Sequence, residues 1–119
     1  MIEEKYKYNF ALYDGHIRMN EFLDSLTDTD QAKIIAYMDK LIELLNINEF
    51  PNQKLSKYLR DGIFELRVPI KQSITRNLYF FMSDKTIIFT HGFIKKQNKT
   101  PDSEIEKAIV VKEFYRKKK

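Results

Sequence analysis

The stretch that decides the fold is GIFELRVPIKQSITRNLYFFMSDKTIIFTHGF, residues Gly62–Phe93. It holds three short runs rich in β-branched and aromatic residues, which is typical of strands. The first run ends at Pro69, the second stops at Ser83-Asp84, and the third continues to Phe93. The connections between the runs are too short for crossover helices, so the stretch predicts an antiparallel meander of three strands.

The segment before this stretch predicts one strand and two helices. Residues Lys5–Tyr13 contain β-formers in partial alternation, which indicates an edge-type strand. Asn20 can cap a short helix, and Asp28 with Gln31 has the spacing of a capping box. A longer helix is predicted from Asp30 to about Asn46. Its apolar stripe at helical spacing consists of Ile34, Ile35, Met38, Leu41, Ile42 and Leu45.

The chain on either side of the meander completes the predicted topology. The basic segment KLSKYLRDG, which precedes the meander, is interpreted as a loop. After the meander, Thr100 with Pro101 at the first helical position predicts the start of a C-terminal helix. The predicted order is β-α-α-β-β-β-α. We therefore predict an α+β fold in a single domain over residues 1–119, with helices packed on the sheet.

Composition excludes several functional classes and separates the two halves by charge. With 119 residues, 43% hydrophobic residues and no cysteine, the chain is predicted to be globular and without thiolate chemistry. The charged N-terminus does not resemble a signal peptide, and the run LYFFM is too short to span a membrane, so a cytoplasmic location is expected. Residues 1–53 carry 5 basic and 10 acidic residues, a net charge of −5. Residues 54–119 carry 16 and 7, a net charge of +9, so a polyanion would meet this half.

Two arginines in the meander are the first candidate site residues. Because side chains alternate along a strand, Phe64, Leu66 and Val68 are predicted to face the core, and Arg67 the opposite side. If the turn is centred near residues 71–72, Arg67 and Arg76 lie opposite each other on adjacent strands. Facing like charges destabilise a sheet unless an anion such as a phosphate lies between them. A salt bridge to a carboxylate, for Arg67 one from Glu65, and a solvated arginine remain alternative explanations.

A group of basic residues surrounds these strands. Lys95, Lys96 and Lys99 lie in the connector before the C-terminal helix, whose free N–H groups and dipole favour anions. The remaining cations proposed to contact a polyanion are Lys54, Lys57, Arg60 and Lys71. Many basic proteins simply carry solvated lysines, so this cluster supports nucleic-acid binding without proving it.

Aromatic and histidine side chains complete the candidates. Tyr58 and Tyr79 could stack on bases, although a tyrosine in a strand usually packs in the core. His91 has an intrinsic pKa suited to a general base, although a lone strand histidine is more often structural. Two distant histidines and scattered carboxylates do not form a metal cage, and no phosphate-binding glycine motif occurs. We therefore expect neither a metal ion nor a cofactor.

Three motifs in the second half resemble a known family. These are LRDGIFELRV, TRNLYFF and IIFTHGFIKKQNKTPDSEIEKA, which occur in this order between about Lys54 and Tyr115. They resemble the HigB branch of the RelE/ParE toxin superfamily, in its phage-protein-like form. The N-terminal part agrees with that family only in the pattern and placement of its helices.

The resemblance implies a RelE-like fold and a toxin of a type II toxin–antitoxin system. Such a toxin cleaves messenger RNA in the ribosomal A site and is neutralised by a HigA-like helix-turn-helix antitoxin. By the same resemblance, Arg67 matches the arginine of the family's Glu-Leu-Arg strand, and Arg76 matches the arginine of the next strand. Lys95 and Lys96 match its Lys-Lys pair, while the catalytic carboxylate or histidine of other branches has no clear counterpart. Arg67→Ala and Arg76→Ala are each expected to abolish toxicity in a protein that stays folded.

Two other functions remain open at this point. A ParE-like inhibitor of DNA gyrase shares the fold but does not cleave RNA, and it does not require a basic cluster. A non-catalytic RNA-binding domain would bind RNA with strong salt dependence and leave no cleavage product.

Overall fold

The computed structural model describes residues 4–71, 73–96 and 98–118. Within these residues, five strands and three helices follow one another as β-α-α-β-β-β-β-α. Their bounds are β1 Lys7–Phe10, α1 Arg18–Asp24, α2 Asp28–Asn46, β2 Ser56–Arg60, β3 Ile63–Ile70, β4 Ser73–Phe81, β5 Thr86–Lys95 and α3 Asp102–Lys117. The predicted α+β class, with an N-terminal strand and helices on a meander, is confirmed. No helix among the described residues combines the length and apolarity needed to cross a membrane.

The strands form one mixed sheet in the order β1-β5-β4-β3-β2. Strands β2 to β5 are an antiparallel meander, as short connections require. Strand β1 pairs with β5 in parallel, so Lys7 lies opposite Thr86 and Phe10 opposite Phe89. The two chain halves, which differ so strongly in charge, are therefore joined within one sheet.

One predicted loop is a strand. Residues Ser56–Arg60, in the basic segment interpreted as a loop, form β2 on the edge of the sheet beside β3. The segment does not show the apolar alternation that is typical of a strand. An edge strand tolerates lysines, which discourage pairing with other chains. A bulge between Tyr58 and Arg60 further interrupts the period of two.

The predicted helix starts are displaced by a few residues. Helix α1 begins at Arg18 after Ile17, so Asn20, the predicted cap, lies inside the helix. Helix α2 begins at Asp28, and its cap is the preceding Thr27, whose Oγ1 accepts a hydrogen bond from the backbone N–H of Asp30 at 3.2 Å. A threonine at this position therefore replaces the predicted capping box.

Helices cover both faces of the sheet and form two separate cores. The face of Leu66, Val68, Tyr79 and Phe89 packs against α1 and α2, and the predicted α2 stripe supplies Ile34, Met38, Leu41 and Leu45 to this core. The opposite face packs against α3 and includes Ile63, Leu78, Phe80, Ile88, Ile105 and Ala108. Arg67 and Arg76 belong to this second face, on which α3 packs.

Gly92 permits the close approach of α1 to β5. A Cβ atom at this position would collide with the ring of Phe22 in α1 and with the side-chain oxygen of Asn77 in β4. Backbone freedom is not the reason, because Gly92 is not among the residues with positive φ. Glycine is therefore required here by space.

Candidate functional site

The two arginines face each other as the sequence predicted. Strands β3 and β4 pair with Arg67 directly opposite Arg76, so the predicted register is confirmed. The turn was predicted near residues 71–72. Lys71 has a left-handed φ of 26°, and Gln72 lies outside the described residues. Lys95 points to the same side of the sheet, because Phe93 pairs with Arg76 and Lys95 is two residues further along β5.

A carboxylate of the chain itself lies between the arginines. Glu65 Oε2 accepts hydrogen bonds from Arg67 Nε at 2.9 Å and from Arg76 Nη1. Glu65 is wholly buried, although its place in β3 directs it away from the core formed with α1 and α2. Of the two anions considered from the sequence, the structure shows the carboxylate. Two guanidiniums share one carboxylate, so the group retains one net positive charge.

Thr100 completes the environment of Glu65. Its hydroxyl donates a hydrogen bond to Glu65 Oε1, the carboxylate oxygen that neither arginine contacts. Thr100 is itself buried and immediately precedes Pro101, the N-cap position of α3. The sequence assigned Thr100 to the start of the helix, but its side chain makes no cap and instead binds a strand residue 35 positions earlier.

The two arginines differ in exposure and in free donors. Arg76 is only 4% exposed, and its Nε has no hydrogen-bond partner among the described residues. Burial lowers the pKa of Arg76, and the negative charge of Glu65 opposes that shift. The Arg67 side chain is 24% exposed and also donates from Nη1 to the carbonyl of Gln53 at 3.0 Å. A buried unpaired guanidinium N–H is a donor that a ligand anion could satisfy.

Two recesses meet at Arg76. A cleft of about 440 Å³ is lined in part by Lys57, Glu65, Arg67, Arg76, Lys99 and Thr100. A groove of about 520 Å³ on its other side is lined in part by Lys71, Ile74, Arg76, Lys95, Lys96 and Asn98. Arg76 and Asn98 line both recesses. Nine of the twelve predicted site residues therefore line these two recesses, and eight of the nine are cations.

Lys95 is the lysine most affected by this environment. Desolvation lowers the pKa of Lys95, and the nearby positive charge of Arg76 lowers it further, while Glu65 acts in the opposite direction. Its ammonium donates a hydrogen bond to the backbone carbonyl of Asn98. Lys96 is exposed in the groove, and Lys99 is exposed beside the cleft. The first turn of α3 carries Asp102 and Glu104, so the helix N-terminus already has negative charge of its own.

Other predicted contacts are placed less favourably for a ligand. Lys54 is exposed but lines neither recess. Arg60 lines the cleft, but its guanidinium is held by Asp61 at 2.6 Å, Asp102 at 3.1 Å and Glu106 at 3.0 Å. Glu106, followed by the other two carboxylates, raises the pKa of Arg60. Arg60 therefore fastens α3 to the sheet.

The two tyrosines have opposite environments. Tyr58 lines the cleft, is 53% exposed and contacts Phe64 edge-on, so part of its ring remains accessible. Tyr79 is wholly buried and stacked on Phe64, and its hydroxyl is 2.6 Å from Ser56 Oγ. Burial raises the pKa of Tyr79 to about 12. Base stacking by Tyr79 is incompatible with this burial, so it is a core residue and we no longer assign it to RNA contact.

His91 lies in a different recess. Its Nε2 is 2.9 Å from Glu104 Oε1, and its Nδ1 is 3.0 Å from Thr90 Oγ1. This recess, of about 740 Å³, also contains His16 and Glu21, but neither arginine of the pair. A neutral imidazole that carries its proton on Nε2 donates to Glu104. His91 therefore joins β5 to α3, and the structure does not bring it to the arginines.

We expect the stability of the fold to decrease as pH falls below about 6.5, the ordinary pKa of histidine, because of His91. Burial lowers the pKa of His91 in the folded state, and the hydrogen bond and charge of Glu104 oppose this only partly. The unfolded chain therefore takes up a proton that the folded state resists, and acid favours unfolding. Thermal unfolding between pH 5.5 and 7.5 measures the slope. His91→Gln should flatten it and His16→Gln should retain it; an unchanged slope in His91→Gln would contradict the assignment.

No group of three or more metal-ligating side chains occurs among residues 4–71, 73–96 and 98–118. The charged groups that line the cleft are guanidinium, ammonium and carboxylate groups.

The fold, a five-stranded mixed sheet with three helices, is compatible with the RelE-like class. The family model of the phage-derived Gp49-like proteins (DUF891) matches residues 21–113, and the chain belongs to this family. The family is toxin-like, of RelE/HigB type, and is associated with the toxins of toxin–antitoxin systems. Membership indicates an antitoxin as a partner. No curated protein matches the chain.

Proposed function

We propose that this protein is the toxin of a type II toxin–antitoxin system and that it cleaves messenger RNA on the ribosome. The observation that carries the proposal is the buried Arg76, which has an unpaired Nε and lies where two basic recesses meet. The family association with toxins supports it. In this proposal the protein acts in the cytoplasm as a HigB-like endoribonuclease and is neutralised by a HigA-like helix-turn-helix antitoxin.

RNA cleavage requires three contributions from such a site. The 2′-hydroxyl must lose its proton and attack the adjacent phosphorus in line with the leaving 5′-oxygen, which then needs a proton. Negative charge accumulates on the phosphoryl oxygens in the transition state, and preorganised guanidiniums stabilise it. Arg67 and Arg76, held on one carboxylate, are placed to make these contacts. This stabilisation uses only side chains and needs no metal ion.

Lys95 is the proposed proton-transfer residue. A lysine whose pKa is lowered can exchange a proton more readily near neutral pH than an ordinary lysine. Desolvation and Arg76 shift the pKa of Lys95 in that direction. Lys96, exposed in the same groove, is proposed to contact the RNA backbone together with Lys71. Lys57, Lys99 and Tyr58 are proposed contacts on the cleft side.

The proposal includes dependence on the ribosome, and the contacts of the buried carboxylate in the cleft support it. Its one wholly buried carboxylate, Glu65, is fully engaged with Arg67, Arg76 and Thr100. The cleft thus supplies charge stabilisation but little to orient a flexible RNA strand. Orientation contributes several orders of magnitude to such reactions. Ribosomal RNA, which already holds the message in the A site, is the proposed source of that orientation.

Primer extension on a defined message tests the proposal directly. Purified protein is added to a reconstituted translation system and, separately, to the same message without ribosomes. Cuts that appear only on translated message support ribosome-dependent cleavage. A folded protein that leaves the message intact contradicts the proposal; DNA supercoiling and RNA-binding assays then separate gyrase inhibition from simple RNA binding.

We expect the double substitution Lys95→Ala and Lys96→Ala to reduce cleavage by at least about a hundredfold, because it removes the proposed proton-transfer residue and a backbone contact. The rate on translated message is measured with saturating protein. Lys33→Ala with Lys40→Ala, on α2, removes the same charge away from both recesses and should retain activity. Wild-type cleavage by the Lys95/Lys96 variant would refute the role of this groove.

A further inference from the structure

We propose that Glu65 is a positioning residue that keeps its contacts with both arginines when an RNA phosphate enters the cleft. This inference rests on the proposed function and assigns a role to a residue that the RNA itself would not touch. It is carried by three contacts: Glu65 Oε2 accepts from Arg67 and Arg76, and Oε1 accepts from Thr100. A carboxylate in this position could act in two opposite ways. It could stay bound as a fixed support that holds the arginines in place, or it could occupy the phosphate site until the phosphate displaces it.

Burial favours the fixed support. The Glu65 side chain has no exposed surface, and Thr100, which holds its second oxygen, is also buried. To leave the arginines, the carboxylate would have to give up both charged partners at a position where it has no exposed surface of its own. An unpaired buried charge is strongly unfavourable. A ligand phosphate would therefore bind the donors that Glu65 leaves unused.

Such donors remain after the contacts of Glu65 are counted. Arg76 uses Nη1 for Glu65, while its Nε is unpaired among the described residues. One carboxylate neutralises only one of two guanidiniums, and Lys95 interacts electrostatically with all three of these side chains. The site thus stays positive with Glu65 in place. An RNA phosphate would meet two guanidiniums that are already oriented.

Glu65 also links the arginines to the connector between β5 and α3. Through Thr100 it holds the end of the connector that carries Asn98 and Lys99, just before α3. Fixing this end restricts the connector, one side of which borders the cleft and the other the groove. The single carboxylate therefore orients groups from β3, β4 and the α3 connector. Preorganised donors of this kind raise the rate of the chemical step more than they tighten binding of the ground state.

The test compares Glu65→Gln with Glu43→Gln. Each substitution removes one negative charge, but Glu43 is exposed on α2, where it lies near Lys40. We expect Glu65→Gln to lower kcat on translated message by about a hundredfold with KM changed less than about threefold, and Glu43→Gln to behave as wild type. Rates are expressed per folded molecule, from circular dichroism. An unchanged kcat per folded molecule would overturn the inference.

A second pair of variants remains informative if Glu65→Gln fails to fold. Thr100→Val removes the hydroxyl at nearly constant shape, whereas Thr100→Ser retains it. We expect Thr100→Val to lower kcat about tenfold and Thr100→Ser to change it less than about threefold, because only the hydroxyl supports Glu65. Equal activity in the two variants would contradict the proposed link through Thr100.

Binding of inorganic pyrophosphate, measured by titration calorimetry at low salt, separates this inference from the proposed function. We expect Glu65→Gln to bind pyrophosphate at least about fivefold more weakly than Glu43→Gln, although the two have the same net charge. Tighter or equal binding by Glu65→Gln, or no binding by wild type, would overturn the inference. If wild type cleaves no message yet shows the expected binding difference, the nuclease proposal fails and the role of Glu65 stands.

Discussion

Replacing Arg67 by alanine should slow cleavage of translated message by about 10²–10³-fold, the usual loss when one preorganised donor to a transition-state anion is removed. Arg67 borders the cleft and is partly exposed, so its removal deletes a ligand contact without opening the core. Glu65 keeps its bonds to Arg76 and Thr100 in the variant, so we expect the protein to stay folded. Single-turnover primer extension measures the rate, and circular dichroism measures the fold.

Two companion variants make the Arg67 result specific. Arg116→Ala, near the end of α3, removes an exposed guanidinium that lines neither recess and should leave the rate within about threefold of wild type. Arg67→Lys keeps the charge but loses the planar fork, and it should restore only part of the rate. An Arg67→Ala variant that cleaves as fast as Arg116→Ala would remove Arg67 from the site.

Replacing Arg76 by alanine should instead destabilise the protein, by about 3–5 kcal/mol in the free energy of unfolding. Arg76 is buried, and its loss leaves the buried Glu65 with one arginine and one threonine. The sequence alone predicted a folded Arg76→Ala variant, because it did not reveal this burial. Urea denaturation measures how much free energy of unfolding each of Arg76→Ala and Arg67→Ala loses relative to wild type. We expect the loss to be several-fold larger for Arg76→Ala.

A double variant distinguishes the loss of Arg76 as a charged partner of Glu65 from the loss of packing. Arg76→Met with Glu65→Leu replaces the buried ion pair by apolar side chains of similar size. Such replacements are often neutral or stabilising, so the double variant should recover at least about half of the lost free energy while remaining inactive. If it is less stable than Arg76→Ala, packing around the arginine would account for the loss.

The local sequence pattern was sufficient to predict the meander and the position of Arg67 opposite Arg76. Alternation of side chains fixes which residues share a face, and the short β3–β4 turn fixes the register, so Arg67 opposite Arg76 could be predicted. A carboxylate partner for the arginines could be named only as one alternative. The alternation of side chains does not show whether the face of the sheet that carries the arginines is covered. Helix α3 packs on that face, and Glu65 is wholly buried with Arg67, Arg76 and Thr100 as its partners.

The elements that were missed depend on contacts distant in sequence. Strand β2 lacks a periodic apolar pattern and exists because its backbone pairs with β3. The bond from Thr100 to Glu65 joins residues in different elements, and no local preference of a threonine before a proline indicates it. Base stacking by Tyr79 was predicted beside the alternative of core packing, because aromatic residues serve both; its burial decides for the core.

The parallel pairing of β1 with β5 sets an order on how the chain can fold as it is synthesised. Residues 7–10 pair with residues 86–89, whereas the β3–β4 hairpin joins neighbours in sequence. The hairpin that carries both arginines can therefore form while β1 still has no partner. Because emergence from the ribosome takes seconds at 5–20 residues per second, the first strand must wait, and contacts between distant residues are slow to form. Strand β1, in the acidic half of the chain, thus joins the sheet only after β5 has been made.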